Sequence, residues 1–375
     1  MAFEGRELRS TITEDGKLTL SLETVQVGPP GPGEVVVKVE ATPINPSDLG
    51  LLLGPADMAS LRSSGTSSHP ALVFDVPPER LSGVHGRLGQ ALSVGNEGAG
   101  TVIAAGEGAA ALVGKRVGMS GGGMFADYRK LPARDVVPLP EGTSAAAGAA
   151  IFVNPLTALA FVETARSGGH RAIVHTAAAS NLGQMLHKVC LADGIPLVNI
   201  VRSDEQVELL KTIGAENVLN SRDENFREQL SAAIETTGAT VAFDAIGGGT
   251  IGSQIVQAME RGATRRMAAY SRYGSDEAKQ LFVYGLLDPS PMVLNRLTFG
   301  MHWGVAGWLL TPFLQKAGPE VTARLVGRVL SQLTTTFASH YTRTIGLTEA
   351  LQPDVVRAYE RKATGEKYLI DPSLN

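Results

Sequence analysis

The sequence predicts an α/β protein of two domains, a β-rich unit joined to a doubly wound unit with a parallel sheet. Three observations carry this. The chain has 375 residues, more than one ordinary core holds. Its first hundred residues alternate apolar and polar positions and turn on glycine and proline. From about 151 to 303, short apolar strands alternate with amphipathic helices, the rhythm of strand–helix–strand units.

Composition narrows the function classes. With 43% apolar and 19% charged residues and a net charge of -4, the chain reads as a soluble globular protein. No basic block marks a nucleic-acid or acidic-membrane partner. The opening "MAFEGRELRS" has charges where a secretion signal needs an apolar core, and no stretch reaches the roughly 18 apolar residues of a membrane span, so a cytoplasmic protein is expected. A single cysteine, Cys190, leaves no internal disulfide and no multi-cysteine zinc lobe.

In chain order, "GPPGPG" (28–33) is a turn, "EVVVKVEATPI" (34–44) a strand, and "GNEGAGTVIAAGEG" (95–108) a glycine-punctuated strand and hairpin. Strands of the parallel sheet are expected at 172–178, 197–201, 217–219, 241–246, 262–270 and 297–303. A long helix follows, and then "GEKYLIDP", a terminal strand expected to return to the first unit.

The stretch "AIVHTAAASNLGQMLHKVC" (172–190) turns a strand into a helix. Leu182, Met185, Leu186 and Val189 form a stripe that packs on a sheet, whereas His187 and Lys188 lie off it, so His187 is read as a solvated helix residue. The turn keeps side chains small where the first helical N–H groups point outward at the positive end of the dipole. Ala179, Ser180, Asn181, Leu182 and Gly183 are therefore candidate ligands for a pyrophosphate. The dinucleotide fingerprint asks for three glycines; only Gly183 is present, with Ala179 and Ser180 as small substitutes, and an ordinary strand-to-helix turn would look the same. The next strand ends in "LVNIVRSDEQ". Arg202, beside Ser203, suits the 2'-phosphate of NADPH better than the ribose hydroxyl of NADH, and Asp204 is expected to cap a helix starting at Glu205.

Eight segments in order resemble the medium-chain dehydrogenase/reductase superfamily, in its zinc-free quinone oxidoreductase and 2-enoyl thioester reductase branches. They are "INPSD" (44–48), "GNEGAG" (95–100), "FADYRKLPARDVVPLPEG" (125–142), "FVNPLTAL" (152–159), "HTAAASNLGQ" (175–184), "LLKTIGAENVLNS" (209–221), "FDAIGG" (243–248) and "GEKYLI" (365–370). The resemblance implies a GroES-like β-rich catalytic domain over 1–152, completed by 304–375, and a Rossmann NADP-binding domain over 153–303. Zinc-dependent relatives place a cysteine shortly after the "INPSD" region and a histidine before the glutamate of the "GNEGAG" region. Here those places hold residues around Leu49 and Gly50, and Asn96, and His69 and His85 have no soft ligand beside them, so no metal is expected.

The chemistry left is hydride transfer from NADPH to a carbon made electrophilic by conjugation, in a quinone or an α,β-unsaturated carbonyl. By resemblance, Asn45 lies near the nicotinamide and the substrate pocket, although it is also a good turn residue before Pro46. The family's threonine on the nicotinamide amide corresponds to Thr157. Asn154 is placed with it on the cofactor side; both could equally be helix-start residues, since Asn154 before Pro155 is good N-cap chemistry, and the two roles are compatible. Gly247 and Gly248, after the fourth strand, let backbone approach the cofactor. Tyr270, Ser271 and Tyr273 are expected at the carboxyl edge of the fifth strand, where ligands bind.

Two departures limit the carry-over. Thioester reductases of this group have a tyrosine after "INPSD" that helps protonate the product, and "LGLLLGPADMASLRSSG" has none, so no proton donor is assigned. The segment 55–92 is long and suggests a lid. The alternatives are therefore a 2-enoyl thioester reductase or a catalytically silent NADPH-binding protein. The apolar "LNRLTFGMHWGVAGWLL" (294–310) is expected to be a buried sheet edge in a homodimer.

Overall fold

The computed structural model describes residues 2–66 and 69–374. From the amino end the elements are β1 (Phe3–Ile12), β2 (Lys17–Val27), β3 (Glu34–Pro43), α1 (Asp48–Leu52), β4 (Asp57–Gly65), β5 (Pro70–Asp75), α2 (Pro78–Leu81), β6 (Leu92–Ser93), β7 (Glu97–Ala105), β8 (Arg116–Ser120), β9 (Tyr128–Pro132), β10 (Val136–Pro138) and α3 (Ala145–Gly148). There follow α4 (Val153–Ser167), β11 (Ile173–Thr176), α5 (Asn181–Ala192), β12 (Leu197–Val201), α6 (Asp204–Thr212), β13 (Asn217–Asn220), α7 (Phe226–Thr237), β14 (Val241–Asp244), β15 (Gly247–Gly249), α8 (Ile251–Arg265), β16 (Lys279–Val283), β17 (Asp288–Met292), β18 (Trp303–Gly307) and α9 (Leu310–Ser331). The chain ends with β19 (Arg343–Ile345), α10 (Pro353–Glu360) and β20 (Tyr368–Ile370).

Two compact units result, one from residues up to Val153 and from Leu330 onward, the other Asn154–Val329. In the first, β4-β5-β2-β1-β6 form one sheet, and β10-β8-β7-β3-β20-β19 form another with β9 also on β3. Strand β3 is "EVVVKVEATP": Val35, Val36, Val37 and Val39 are buried, and their β-branched side chains suit a strand covered on both faces. The terminal strand returns as expected, β20 pairing antiparallel with β3. Of the segment 55–92 expected to be a lid, in which residues 67 and 68 lie outside the described residues, two stretches are instead built into the sheet. Strands β4 and β5 pair antiparallel, and β5 pairs with β2, so their backbone groups are used in the ladder.

In the second unit six strands run parallel in the order β13-β12-β11-β14-β16-β18. Strand β12, "LVNIV", is buried throughout, as a parallel strand covered on both faces must be. Sequence order runs outward in one direction from β11 and in the other from β14, so the topological switch lies between these two.

Several expectations are corrected. The fifth strand is not 262–270: helix α8 continues to Arg265, and the strand is Lys279–Val283. A buried ion pair explains the longer connection. Lys279 Nζ donates to Glu260 Oε2 on α8 (2.7 Å), which pins 266–278 between them. A Cβ at Gly274 or Gly300 would collide with that carboxylate. The sixth strand is Trp303–Gly307 rather than 297–303. Residues 304–329 consequently stay with the parallel-sheet unit, since β18 pairs with β16 and Arg328 on α9 grips Asp193 at 2.9 and 2.7 Å. His187 is buried rather than solvated, its Nε2 donating to the Ile213 carbonyl (3.1 Å). The helical stretch Ala145–Ser167 is long and apolar enough to cross a bilayer, contrary to expectation, but 72% of its most apolar window is buried inside the structure, as in a core helix.

Candidate functional site

In the second unit, the turn after β11 occupies the switch point. Ala177 adopts φ 51°, a left-handed conformation that a non-glycine residue holds only where its surroundings enforce it. The enforcing bonds are Ala178 N–H to the Ile200 carbonyl (3.1 Å) and Ser180 N–H to the Ala177 carbonyl (3.0 Å). Ser180 is the N-cap of α5, its hydroxyl accepting from Gly183 N–H (3.1 Å). A Cβ on Gly183 would collide with the Ala178 carbonyl, so this glycine serves the close approach of helix to turn.

The neighbouring loop is held by Asp244, which is 0% exposed. Its Oδ1 accepts from the Thr176 hydroxyl (2.7 Å) and Ile246 N–H (3.0 Å), and its Oδ2 from Gly247 N–H (3.1 Å). The Thr176 hydroxyl oxygen in turn accepts from Ala245 N–H (2.8 Å), so the ends of β11 and β14 are laced together. Gly247 has φ 81°. A side chain at Gly248 would run into the carbonyls of Asp288 and Ser290, because β15 pairs with β17 there. Protein backbone alone accounts for both glycines.

Arg202 directly follows β12 and is exposed, and its N–H donates to Gln206 Oε1 (3.0 Å). Helix α6 begins one residue earlier than expected: Ser203 is its N-cap, and Asp204 is its first residue and accepts from Asn220 Nδ2 (2.9 Å). Tyr270, Ser271 and Tyr273 are not at a strand end. They lie on the connection from α8 to β16, with Tyr270 93% and Tyr273 62% exposed and Arg272 stacked 4.7 Å from the Tyr273 ring centre. The carboxyl end of the true fifth strand runs into Tyr284, Gly285, Leu286 and Leu287, which were missed; "KQLFVYGLL", with its aromatic and aliphatic run, is the signal that could have found them. Tyr284 turns inward, its hydroxyl 2.8 Å from His175 Nε2. Burial pushes the His175 pKa down to about 3, so the imidazole is neutral.

In the first unit, Asn45 is 1% exposed and enclosed by acids. Its Nδ2 donates to Glu97 Oε1 (2.8 Å) and its N–H to Asp48 Oδ2 (2.7 Å). Asp48 Oδ1 accepts from Asn96 N–H (2.8 Å). Glu97 Oε2 accepts from Phe152 and Val153 N–H, both at 2.9 Å. Asn154 is therefore not an N-cap: α4 starts at Val153, with Glu97 taking its leading amides, and Asn154 and Thr157 are buried in its first turns. Pro155 is tolerated because its missing N–H would have had no helical partner there. The buried ammonium of Lys367 lies 5.5 Å from the Tyr341 ring centre and acts through space on both acids. Burial raises Glu97, which Lys367 opposes, and pushes Asp48 up to about 7, with the Glu97 charge adding to the effect.

Sequence comparison agrees with this architecture. The family model for the alcohol dehydrogenase GroES-like domain matches residues 31–141, and that for zinc-binding dehydrogenase matches residues 182–307. A putative NADPH:quinone reductase structure from Mesorhizobium loti superposes with a TM-score of 0.73 at 26% identity, covering 98% of each chain. The chain belongs to the medium-chain dehydrogenase/reductase superfamily. A mycocerosic acid synthase-like polyketide synthase of Mycobacterium tuberculosis is 29% identical over 64% of this chain, which spans only 10% of that longer protein. The mitochondrial enoyl-[acyl-carrier-protein] reductase of Caenorhabditis elegans is 27% identical over 65% of either chain. The Asn96 Nδ2 donates to the Ser47 hydroxyl (3.0 Å). Among the described residues no group of three or more His, Cys, Asp or Glu side chains is arranged to hold a metal.

Proposed function

We propose that the chain is a zinc-independent, NADPH-dependent oxidoreductase of quinones or activated alkenes. The observation that carries this is the switch point: a turn of small residues under strain at Ala177, a capped helix start at Ser180, and Arg202 at the end of the adjoining strand. The amide end of α5 at Asn181 and Leu182 would receive the pyrophosphate, with Gly183 keeping helix and turn close while its own N–H caps on Ser180, and the Arg202 guanidinium would receive the 2'-phosphate. Ala179 and Ser180 keep the approach open, and Thr157 and Asn154 belong to the nicotinamide side by resemblance. Bound NADPH supplies the hydride. The protein's own part is to orient the acceptor and exclude water, with Asn45 held rigid on the substrate side.

Stopped-flow recording of NADPH absorbance against quinones, enones and enoyl thioesters tests this, with turnover expected on at least one of the first two. Arg202→Ala should weaken NADPH about 10- to 100-fold and leave NADH unchanged, the loss of one charge-assisted phosphate contact. An equal loss for both coenzymes removes the assignment. A second reading, a 2-enoyl thioester reductase, is favoured by the relatives named for enoyl reduction and polyketide synthesis, and predicts preference for the thioester. Tight NADPH binding without oxidation by any acceptor marks a silent binding protein.

A cytoplasmic homodimer belongs to the same proposal. Strand β18 is the edge of the parallel sheet, and Leu297, Met301 and Trp303 are exposed around it. Light scattering at micromolar concentration should give twice the chain mass.

A further inference from the structure

We infer that Glu97 is a positioning residue that couples the Asn45 amide to the Phe152 and Val153 amides at the start of helix α4, holding both with one carboxylate. The role of Asn45 rests on the function proposed above, whereas the coupling itself rests on geometry. A carboxylate only accepts, so Oε1 obliges Asn45 to present its Nδ2, and the amide has one orientation instead of two. The backbone of the same residue is pinned independently, because Asp48 takes the Asn45 N–H. The other oxygen, Oε2, accepts from Phe152 and Val153 N–H, leading amides of a helix of 15 residues, where the dipole favours negative charge. Asn154 and Thr157 follow directly in that helix. Glu97 is itself fixed, since its carbonyl accepts the Thr42 hydroxyl (2.7 Å) and the Lys367 cation acts on it through space.

Glutamine cannot replace it. An amide has one oxygen and one NH2, so if the oxygen stays on Phe152 and Val153, the nitrogen meets the Asn45 Nδ2 donor to donor. Asn45 must then turn over and exchange the polarity it offers.

The experiment combines a double-mutant cycle with amide hydrogen exchange. For NADPH oxidation, Glu97→Gln and Asn45→Ala are each expected to lower kcat about 10-fold, and the double variant no further than either alone. Effects that multiply, or a Glu97→Gln enzyme at the wild-type rate, overturn the coupling. Exchange at Phe152 and Val153 needs no turnover. It should quicken at least ~10-fold in Glu97→Ala, as loss of a hydrogen bond to a charged group implies, and several-fold in Asn45→Ala, which keeps the carboxylate. If Glu97→Ala does not fold, Asn45→Ala alone decides: exchange unchanged at both amides overturns the inference. Wild-type protein that oxidises no NADPH, with the exchange coupling intact, removes the proposed function and leaves the coupling standing.

Discussion

Glu97 in the first unit and Asp244 in the second are both 0% exposed, and each holds a loop of its own unit, but in different company. Asp244 meets neutral donors from its own neighbourhood and the adjoining strand: Thr176, Ile246 and Gly247. Glu97 shares its surroundings with a second acid, Asp48, and with the buried cation Lys367. The second unit keeps its remaining titratable group there, His175, neutral against Tyr284. At these two places the first unit packs two acids around a buried cation, whereas the second packs one carboxylate against neutral donors beside a neutral imidazole, and the two places should respond to pH in opposite directions.

The largest expected effect is on the second unit in acid. His175 has a folded pKa near 3 against an ordinary value of 6.5, so its contribution is present above 6.5 and lost as pH falls towards 3, worth on the order of 5 kcal/mol over that range. Denaturant unfolding at stepped pH should show this acid limb, and His175→Gln should flatten it. A limb unchanged in that variant would break the contrast. Asp48 should act oppositely in the first unit. Its folded pKa near 7 lies above the ordinary 3.8, so the stability it provides is full below 3.8 and is lost as pH rises to about 7, on the order of 4 kcal/mol before relaxation. Segment-resolved hydrogen exchange at pH 5 and pH 7 distinguishes the units: 45–48 and 96–97 should loosen at the higher pH while 173–176 does not.

Smaller effects sharpen the comparison on the hydrogen-bonded side. Gly183→Ala places a methyl against the Ala178 carbonyl and should cost about 1–3 kcal/mol of stability, read as a lowered Tm, together with weaker NADPH binding. Smallest is Tyr270→Ala, expected within about 0.5 kcal/mol of wild type in stability and without effect on NADPH affinity, since the ring is almost wholly exposed on the α8–β16 connection. A large loss of affinity there would restore Tyr270 as a ligand residue.

The two sites were unequally legible. The strand-to-helix turn at 177–183 was readable because a small-residue turn and the helical stripe that follows lie within one short stretch of sequence. The fifth strand was misplaced because "RRMAAY" has strand-like residues that here only leave helix α8, and the ion pair that decides the matter joins residues 260 and 279. The burial of His187 is invisible to the helical pattern because the loop that covers it, at Ile213, is 26 residues away. The cap role open to Asn154 falls instead to Glu97, which is 56 residues from Val153 and beyond the reach of a local pattern.

By itself the sequence determined the two-unit α/β plan, the parallel sheet and the small-residue turn at its centre, because periodicity and local turn chemistry act over a few residues. Only the tertiary structure decided which polar side chains are buried together. Asn45, Asp48, Glu97, Val153 and Lys367 meet through strand pairing and helix placement, and the cost of burying a charge depends on neighbours that no local pattern records.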